Sequence, residues 1–272
     1  MTPETPSDPP RRRLAVPTGE LVWTEEGGAG PETGVFLAIP GLPGSVRDFR
    51  WLAPAIPGGR RFLRVELPGF GEADRHELRG LSSDQRAAAV EALLTELDLR
   101  ELTLISHSSG ALVAARLARR CPDRIDSLAL LASPGPTPHY PLRTWRAKAA
   151  LLRRPLGRRL LRAPMRALYS AFGFPSYLTD RELVCTSLDA AAVDFAEWRD
   201  DLRALTIPTL IASAPDDRLI APRRTRALEE LAPDGPRLRF EDGGHNIQKT
   251  RATELGEALD ALRRELASSV DD

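Results

Sequence analysis

Short apolar runs alternate with longer amphipathic stretches along the chain from Gly34 to Leu266. Runs of this length suit strands buried on both faces, and a 3.6-residue period between them suits helices laid across a sheet. The pattern predicts a mostly parallel sheet flanked by helices, an α/β architecture. Strands are expected over 34–39, 61–67, 102–106, 126–132, 208–213 and 237–240. A helix is expected over 45–56, with Ser45 as N-cap and Phe49, Leu52 and Ile56 on one face. Others follow Ser82 or Ser83, where Val90, Leu93, Leu94 and Leu97 recur at helical spacing, then start near 109, and cover 221–231 and 253–266. No internal repeat is visible.

The alternation breaks over 135–187, which holds prolines and many arginines and no strand-like run. It reads as a helical insertion between a core of 14–134 and 188–272. Loops at the carboxyl ends of parallel strands line the ligand site of such sheets, so the insertion is placed to act as a lid. Residues 1–13, rich in Pro, Thr and charge, are expected to be a disordered tail.

At 272 residues the chain can bury a full core, and 42% apolar residues is ordinary for a globular protein. Lys plus Arg and Asp plus Glu both number 38, which gives no reason to expect nucleic-acid binding. Cys121 and Cys185 form no CxxC, and with four histidines a structural zinc site is not expected. Two free thiols, no apolar run long enough to cross a bilayer and no secretory signal point to a cytoplasmic protein.

The chemistry concentrates in LTLISHSSGALVAARLA, residues 102–118. A strand enters Ser106-His107-Ser108-Ser109-Gly110 and a helix follows at once, the small-x-nucleophile-x-small pattern of a sharp elbow. The turn strains the central residue, so the residues two away on either side must be small. Ser108 is the candidate nucleophile, and the N–H of Ser109, at the positive end of the helix, is free for a developing oxyanion. A Ser-rich turn before a helix is the alternative meaning.

A serine nucleophile needs a base. Among His76, His107, His139 and His245, only His245 follows a late strand in an adaptable loop, Glu241-Asp242-Gly243-Gly244, and precedes the final helix. His107 sits inside the elbow, pointing away from Ser108, while His76 and His139 lie in polar loop or lid sequence. The base needs a carboxylate to hold its tautomer. Asp217, after the strand PTLIAS, is the candidate and Asp216 the runner-up. No acid stands at the end of DSLALLA.

Together these residues identify the chain as a member of the α/β-hydrolase superfamily, of the lidded type that includes esterases, lactonases and thioesterases. The resemblance covers nearly everything from about residue 14. It rests on Ile39-Pro40-Gly41-Leu42-Pro43-Gly44-Ser45, Leu67-Pro68-Gly69-Phe70-Gly71, Ser106–Gly110, 208–220 and Gly243-Gly244-His245. It implies the α/β-hydrolase fold with a helical lid after the sixth strand, and a second oxyanion N–H at Leu42. Pro40 stands where the family usually has His, and Glu66 where Asp is common. Ser at 108 excludes relatives that need Asp there, the epoxide hydrolases and haloalkane dehalogenases. Carbon–carbon-bond hydrolases and acyltransferases keep the serine. The resemblance implies an ester, thioester or lactone substrate and no cofactor or metal; a silent binding protein on the same fold is the non-enzymatic alternative.

The insertion carries Arg146, Arg153, Arg154, Arg158, Arg159, Arg162 and Lys148 between Arg143 and Arg166, with no acidic residue. Leu156, Leu160, Leu161, Met165, Leu168, Tyr169 and Phe172 recur at helical spacing and are expected to be buried, with the arginines mainly on the other face. That face is either solvated or docks an acidic partner; an acyl carrier protein and an anionic membrane both fit. Phe70, Trp145, Tyr169 and Phe172, with Phe174 and Tyr177, are candidates to line an acyl pocket or simply to pack lid on core.

Overall fold

The computed structural model describes residues 8–28, 34–138, 145–171, 174 and 176–268, with the side chains of 145–148 left aside. The strands are β1 (Arg12–Val16), β2 (Gly19–Glu26), β3 (Val35–Ile39), β4 (Arg61–Glu66), β5 (Leu102–His107), β6 (Ile125–Leu131), β7 (Thr209–Ser213) and β8 (Arg237–Arg239). They form a sheet in the order β1-β2-β4-β3-β5-β6-β7-β8. β2 runs antiparallel to β1 and β4, and the remaining neighbours are parallel. The register aligns Ile39 with Ser106 and Ser106 with Leu130, which brings the ends of β3, β5 and β6 to one edge.

The helices are α1 (Ser83–Glu96), α2 (Gly110–Arg120), α3 (Trp145–Leu152), α4 (Pro155–Ala171), α5 (Asp180–Ala191), α6 (Phe195–Ala204), α7 (Pro222–Glu229), α8 (Ile247–Thr250) and α9 (Ala252–Ser268). Ser82, not Ser83, caps α1 through a reciprocal box with Gln85, each side chain holding the other's backbone N–H. Leu93 and Leu94 of α1, Val113 and Leu117 of α2 and Trp198 of α6 pack with Leu37 and Leu104 on one sheet face. On the other, Leu255, Leu259 and Leu262 of α9 meet Phe36, Phe62 and Ile105. Helices α3 to α5 make a smaller core, with Leu152, Met165, Tyr169, Leu183 and Leu188 in contact.

Three expectations change. Strand β1 begins at Arg12 and pairs with β2 from Arg12↔Trp23 to Val16↔Gly19, so it starts inside the expected tail. Asp8, further upstream, accepts from Arg47 at 2.9 Å and from buried Arg64 at 3.3 Å. The stretch 45–56 is not one helix but two short 3-10 turns, Val46–Phe49 and Ala53–Ala55. Pro54 and Pro57 supply no N–H for a continuous ladder. Ser45 still caps the first turn, and Phe49, Leu52 and Ile56 are still buried. Finally, α4 buries Gly157, Met165 and Tyr169, while Leu156 and Leu160 are exposed. Of the expected set, Leu161, Met165 and Tyr169 do face the side on which α3 and α5 pack, whereas Leu156, Leu160 and Leu168 do not.

The helical segment is joined to the sheet by a buried ion pair. Arg75, in the loop after β4, donates from Nη1 and Nη2 to Asp189 of α5 at 2.9 and 2.7 Å. Asp189 also accepts the Leu81 N–H at 2.9 Å, and Arg75 donates to the Pro68 carbonyl, so the buried charges are fully hydrogen-bonded.

Candidate active site

Strand β5 is buried throughout and delivers the chain to Ser108, whose φ of 51° lies in the left-handed region. A non-glycine residue held there stores strain, and two hydrogen bonds hold it: Ser108 N–H to the Leu131 carbonyl at 2.9 Å, and Ala111 N–H to the Ser108 carbonyl at 3.1 Å. The neighbours are small because the turn is tight. A Cβ at Gly110 would fall 2.5 Å from the Pro40 carbonyl oxygen, and one at Gly41 would fall 3.1 Å from Ser108 Cβ. Ser106 fits where glycine is usual because its buried hydroxyl donates to the Ala129 carbonyl at 3.0 Å.

Asp217 lies just beyond β7. Its Oδ1 accepts the N–H groups of Leu219 and Ile220 at 2.7 and 2.9 Å, and its Oδ2 lies 2.8 Å from His245 Nδ1. The side chain is 3% exposed. A carboxylate at that distance makes His245 Nδ1 the donor and leaves the Nε2 lone pair free. The structure thus pairs His245 with Asp217 and gives Asp216 a different place. Asp216 accepts from Gly244 N–H at 2.8 Å and Gly243 N–H at 3.3 Å, bracing the loop that carries His245. These bonds, the one from Gly244 first, hold its carboxyl below the usual range.

His107 supplies a second brace. Its ring lies 4.8 Å from the His245 ring, and its Nε2–H donates to the His245 carbonyl at 2.9 Å. Burial above all, and then the neighbouring His245, push its pKa down to about 3, so it stays a neutral donor. Neither brace is visible in the sequence: the contacts span 138 and 28 residues, and only the pairing of the loops reveals them.

The N–H groups of Leu42 and Ser109 have no acceptor among the described residues, and Ser109 is the N-cap of α2. The loop carrying Leu42 is held from below by carboxyls. Glu66 accepts Val46 N–H at 3.3 Å and Glu72 N–H at 2.8 Å; Asp48 accepts Ser45 N–H at 3.3 Å. Burial, with nearby Glu66 adding to it, pushes Asp48 up to about 7. These bonds support the loop where Pro40 can offer none.

Two adjoining cavities of about 400 and 510 Å³ share Leu42, Ser108, Phe174, Arg218 and Leu219 in their walls. The first adds Ser109, Leu168, Tyr169, Asp217, Arg223 and Arg224, and the second adds His245 and Tyr177. Ser108, Asp217, His245, Leu42 and Ser109 are therefore gathered at one place. Of the expected pocket residues, Tyr169 lines the first cavity. Phe70 lines neither: it is buried in the core, with the Arg75 guanidinium 5.5 Å from its ring centre. The side chain of Trp145 and all of Phe172 lie outside the described residues. His76 is exposed and His139 also lies outside them. Among the described residues no group of His, Cys, Asp and Glu is arranged to hold a metal ion. No helix among them is long and apolar enough to cross a membrane.

A family model for the alpha/beta hydrolase fold matches residues 34–164. Sheet order, elbow and match together show that the chain has the α/β-hydrolase fold. A 2-hydroxy-6-oxononadienedioate/2-hydroxy-6-oxononatrienedioate hydrolase of Cupriavidus pinatubonensis is 28% identical over 211 residues, 71% of this chain and 73% of that protein. The dihydrolipoyllysine-residue acetyltransferase component of an acetoin cleaving system from Pseudomonas putida is 35% identical over 42% of this chain; the match spans only 30% of its length. Among solved structures, the enol-lactonase of Burkholderia xenovorans LB400 superposes with a TM-score of 0.75 at 19% identity, covering 92% of this chain and 99% of the other.

Proposed function

We propose that the chain is a serine hydrolase that cleaves a carboxylic ester, thioester or lactone through an acyl-enzyme on Ser108. The observation that carries this is the 2.8 Å contact between His245 Nδ1 and Asp217, beside a serine strained at φ 51° on the same cavity. In this mechanism Ser108 Oγ attacks the carbonyl carbon and its proton passes to His245 Nε2. Asp217 holds the ring and stabilises the imidazolium. The oxyanion is met by the Leu42 and Ser109 N–H groups, each worth about 3 kcal/mol of transition-state stabilisation. His245 returns the proton to the leaving group, then takes one from the water that hydrolyses the acyl-enzyme. Helices α3 and α4, with the start of α5, make up the segment 135–187 and act as the lid, with Leu168 and Tyr169 against the acyl group.

A fluorophosphonate probe tests the reading: it should label wild type covalently and leave S108A unlabelled. Folded wild type that resists labelling would overturn it.

Carbon–carbon cleavage beside a carbonyl is a second reading. It is supported by the Cupriavidus relative, whose name gives a dicarboxylate substrate, and by Arg218, Arg223 and Arg224 in the cavity wall, which suit carboxylates. Steady-state turnover of ester and vinylogous diketone substrates side by side separates the two.

A further inference from the structure

From Ser127 to Thr179 the chain carries nine basic residues and no acidic one, although Lys plus Arg and Asp plus Glu balance at 38 each overall. Most of that charge falls on α3, α4 and the turn between them. Helix α4 is organised in three rows. Gly157, Leu161, Met165 and Tyr169, four residues apart, form the row packed on α3 and α5, Leu161 being only partly buried. Arg159, Arg162 and Arg166 form a basic row on one flank. The remaining row, Leu156, Leu160, Ala163 and Ala167, is apolar and faces outward. Leu156 is 67% exposed and Leu160 63%. Leu151 at the end of α3 extends the patch, and Leu168 continues it toward the cavity, whose wall it also joins.

The basic residues are only partly neutralised. Arg162 and Arg166 both pair with the single carboxylate of Asp180, and Arg158 donates to the carbonyls of Leu152 and Arg153. Arg153, Arg154 and Arg159 have no acidic partner among the described residues. A solvated face would not need leucines two-thirds exposed on consecutive turns, and an acidic protein partner would be served by the arginines alone. A helix lying in the headgroup plane of a bilayer uses both: apolar side chains dip toward the acyl chains while arginines meet lipid phosphates.

We propose that the outer face of α4, with the end of α3, docks on an anionic phospholipid surface. Docking holds Leu168, and with it the cavity wall, at the membrane. The proposal concerns binding and does not depend on what Ser108 does.

The test is co-sedimentation of the full chain with vesicles of phosphatidylcholine alone and of phosphatidylcholine mixed with phosphatidylglycerol. Wild type should bind the anionic vesicles, leave the neutral ones, and dissociate as salt rises. L156S/L160S, which keeps every charge, should weaken binding tenfold or more. R153Q/R154Q/R159Q should weaken it by about fivefold per arginine removed. Both variants alter exposed positions and should keep wild-type melting and wild-type labelling of Ser108. The proposal is overturned if wild type stays in the supernatant with anionic vesicles at low salt, or if the leucine pair leaves binding unchanged. It is equally overturned if wild type is a dimer that L156S/L160S dissociates, because the face is then covered by a second copy. Leucine-dependent binding to an acidic carrier protein, with no binding to vesicles, would also overturn it.

Discussion

His107 makes the pH dependence of stability calculable. Unfolded, its imidazole titrates near 6.5; folded, it is held neutral down to about 3 by burial and by His245. Between these values the unfolded chain binds a proton at His107 that the folded chain refuses, so the His107 contribution to stability is complete above about 6.5 and is lost as pH falls. At pH about 4.5 the difference amounts to about 2.7 kcal/mol, since one unit corresponds to about 1.36 kcal/mol and two of the units have been crossed. H107Q isolates the contribution: glutamine keeps an N–H for the His245 carbonyl and cannot titrate in this range. Urea denaturation of both proteins at pH about 7.5 and about 4.5 is the assay. Wild type should lose about 2–3 kcal/mol more than H107Q between the two conditions. Equal losses would refute the reasoning, because His107 would then be protonated as readily in the folded state as in the unfolded one.

Other expectations follow from the same geometry. D217N should fold normally yet lower kcat by about 10³- to 10⁴-fold, because the amide presents a donor to His245 Nδ1 and favours the wrong tautomer; stopped-time labelling with the fluorophosphonate probe reads the loss. Asp48 is held protonated until about pH 7, so its contribution to stability is present below the ordinary carboxylate range and lost as pH rises through 7. D48N should therefore flatten the decline of melting temperature as pH rises from the ordinary carboxylate range to about 7, measured by a thermal shift series across pH. D189A leaves Arg75 charged and buried without its carboxylate, and should cost about 3–5 kcal/mol in a urea titration.

Much of the architecture was legible because burial writes a period into the sequence. The parallel strands are continuous apolar runs, and the elbow announces itself as strand, small residues and helix in immediate succession. The triad candidates could be ordered along the chain for the same reason: each follows a recognisable strand. The hairpin of β1 and β2 was less legible. β1 is an edge strand with Arg12 and Arg13 exposed, so its composition matches a solvated tail and only its pairing with β2 distinguishes it. The outward leucines of α4 mislead for the opposite reason, since apolar periodicity says which residues share a face but not which face is covered. Asp216 and His107 act through contacts between loops far apart in the chain, and nothing local marks them.

The Arg75–Asp189 pair has a mechanical meaning. Because Asp189 is locked to the loop after β4 by two arginine bonds and a backbone N–H, α5, which begins in the inserted segment and ends beyond it, is effectively a part of the core. Helices α3 and α4 have no comparable buried anchor among the described residues; their polar ties to α5 include the half-exposed Arg166–Asp180 pair and the Tyr169–Ser187 hydroxyl contact. If the segment serves as the proposed lid, α5 is its fixed side and α3 and α4 are the side expected to swing, like a flap on an axle.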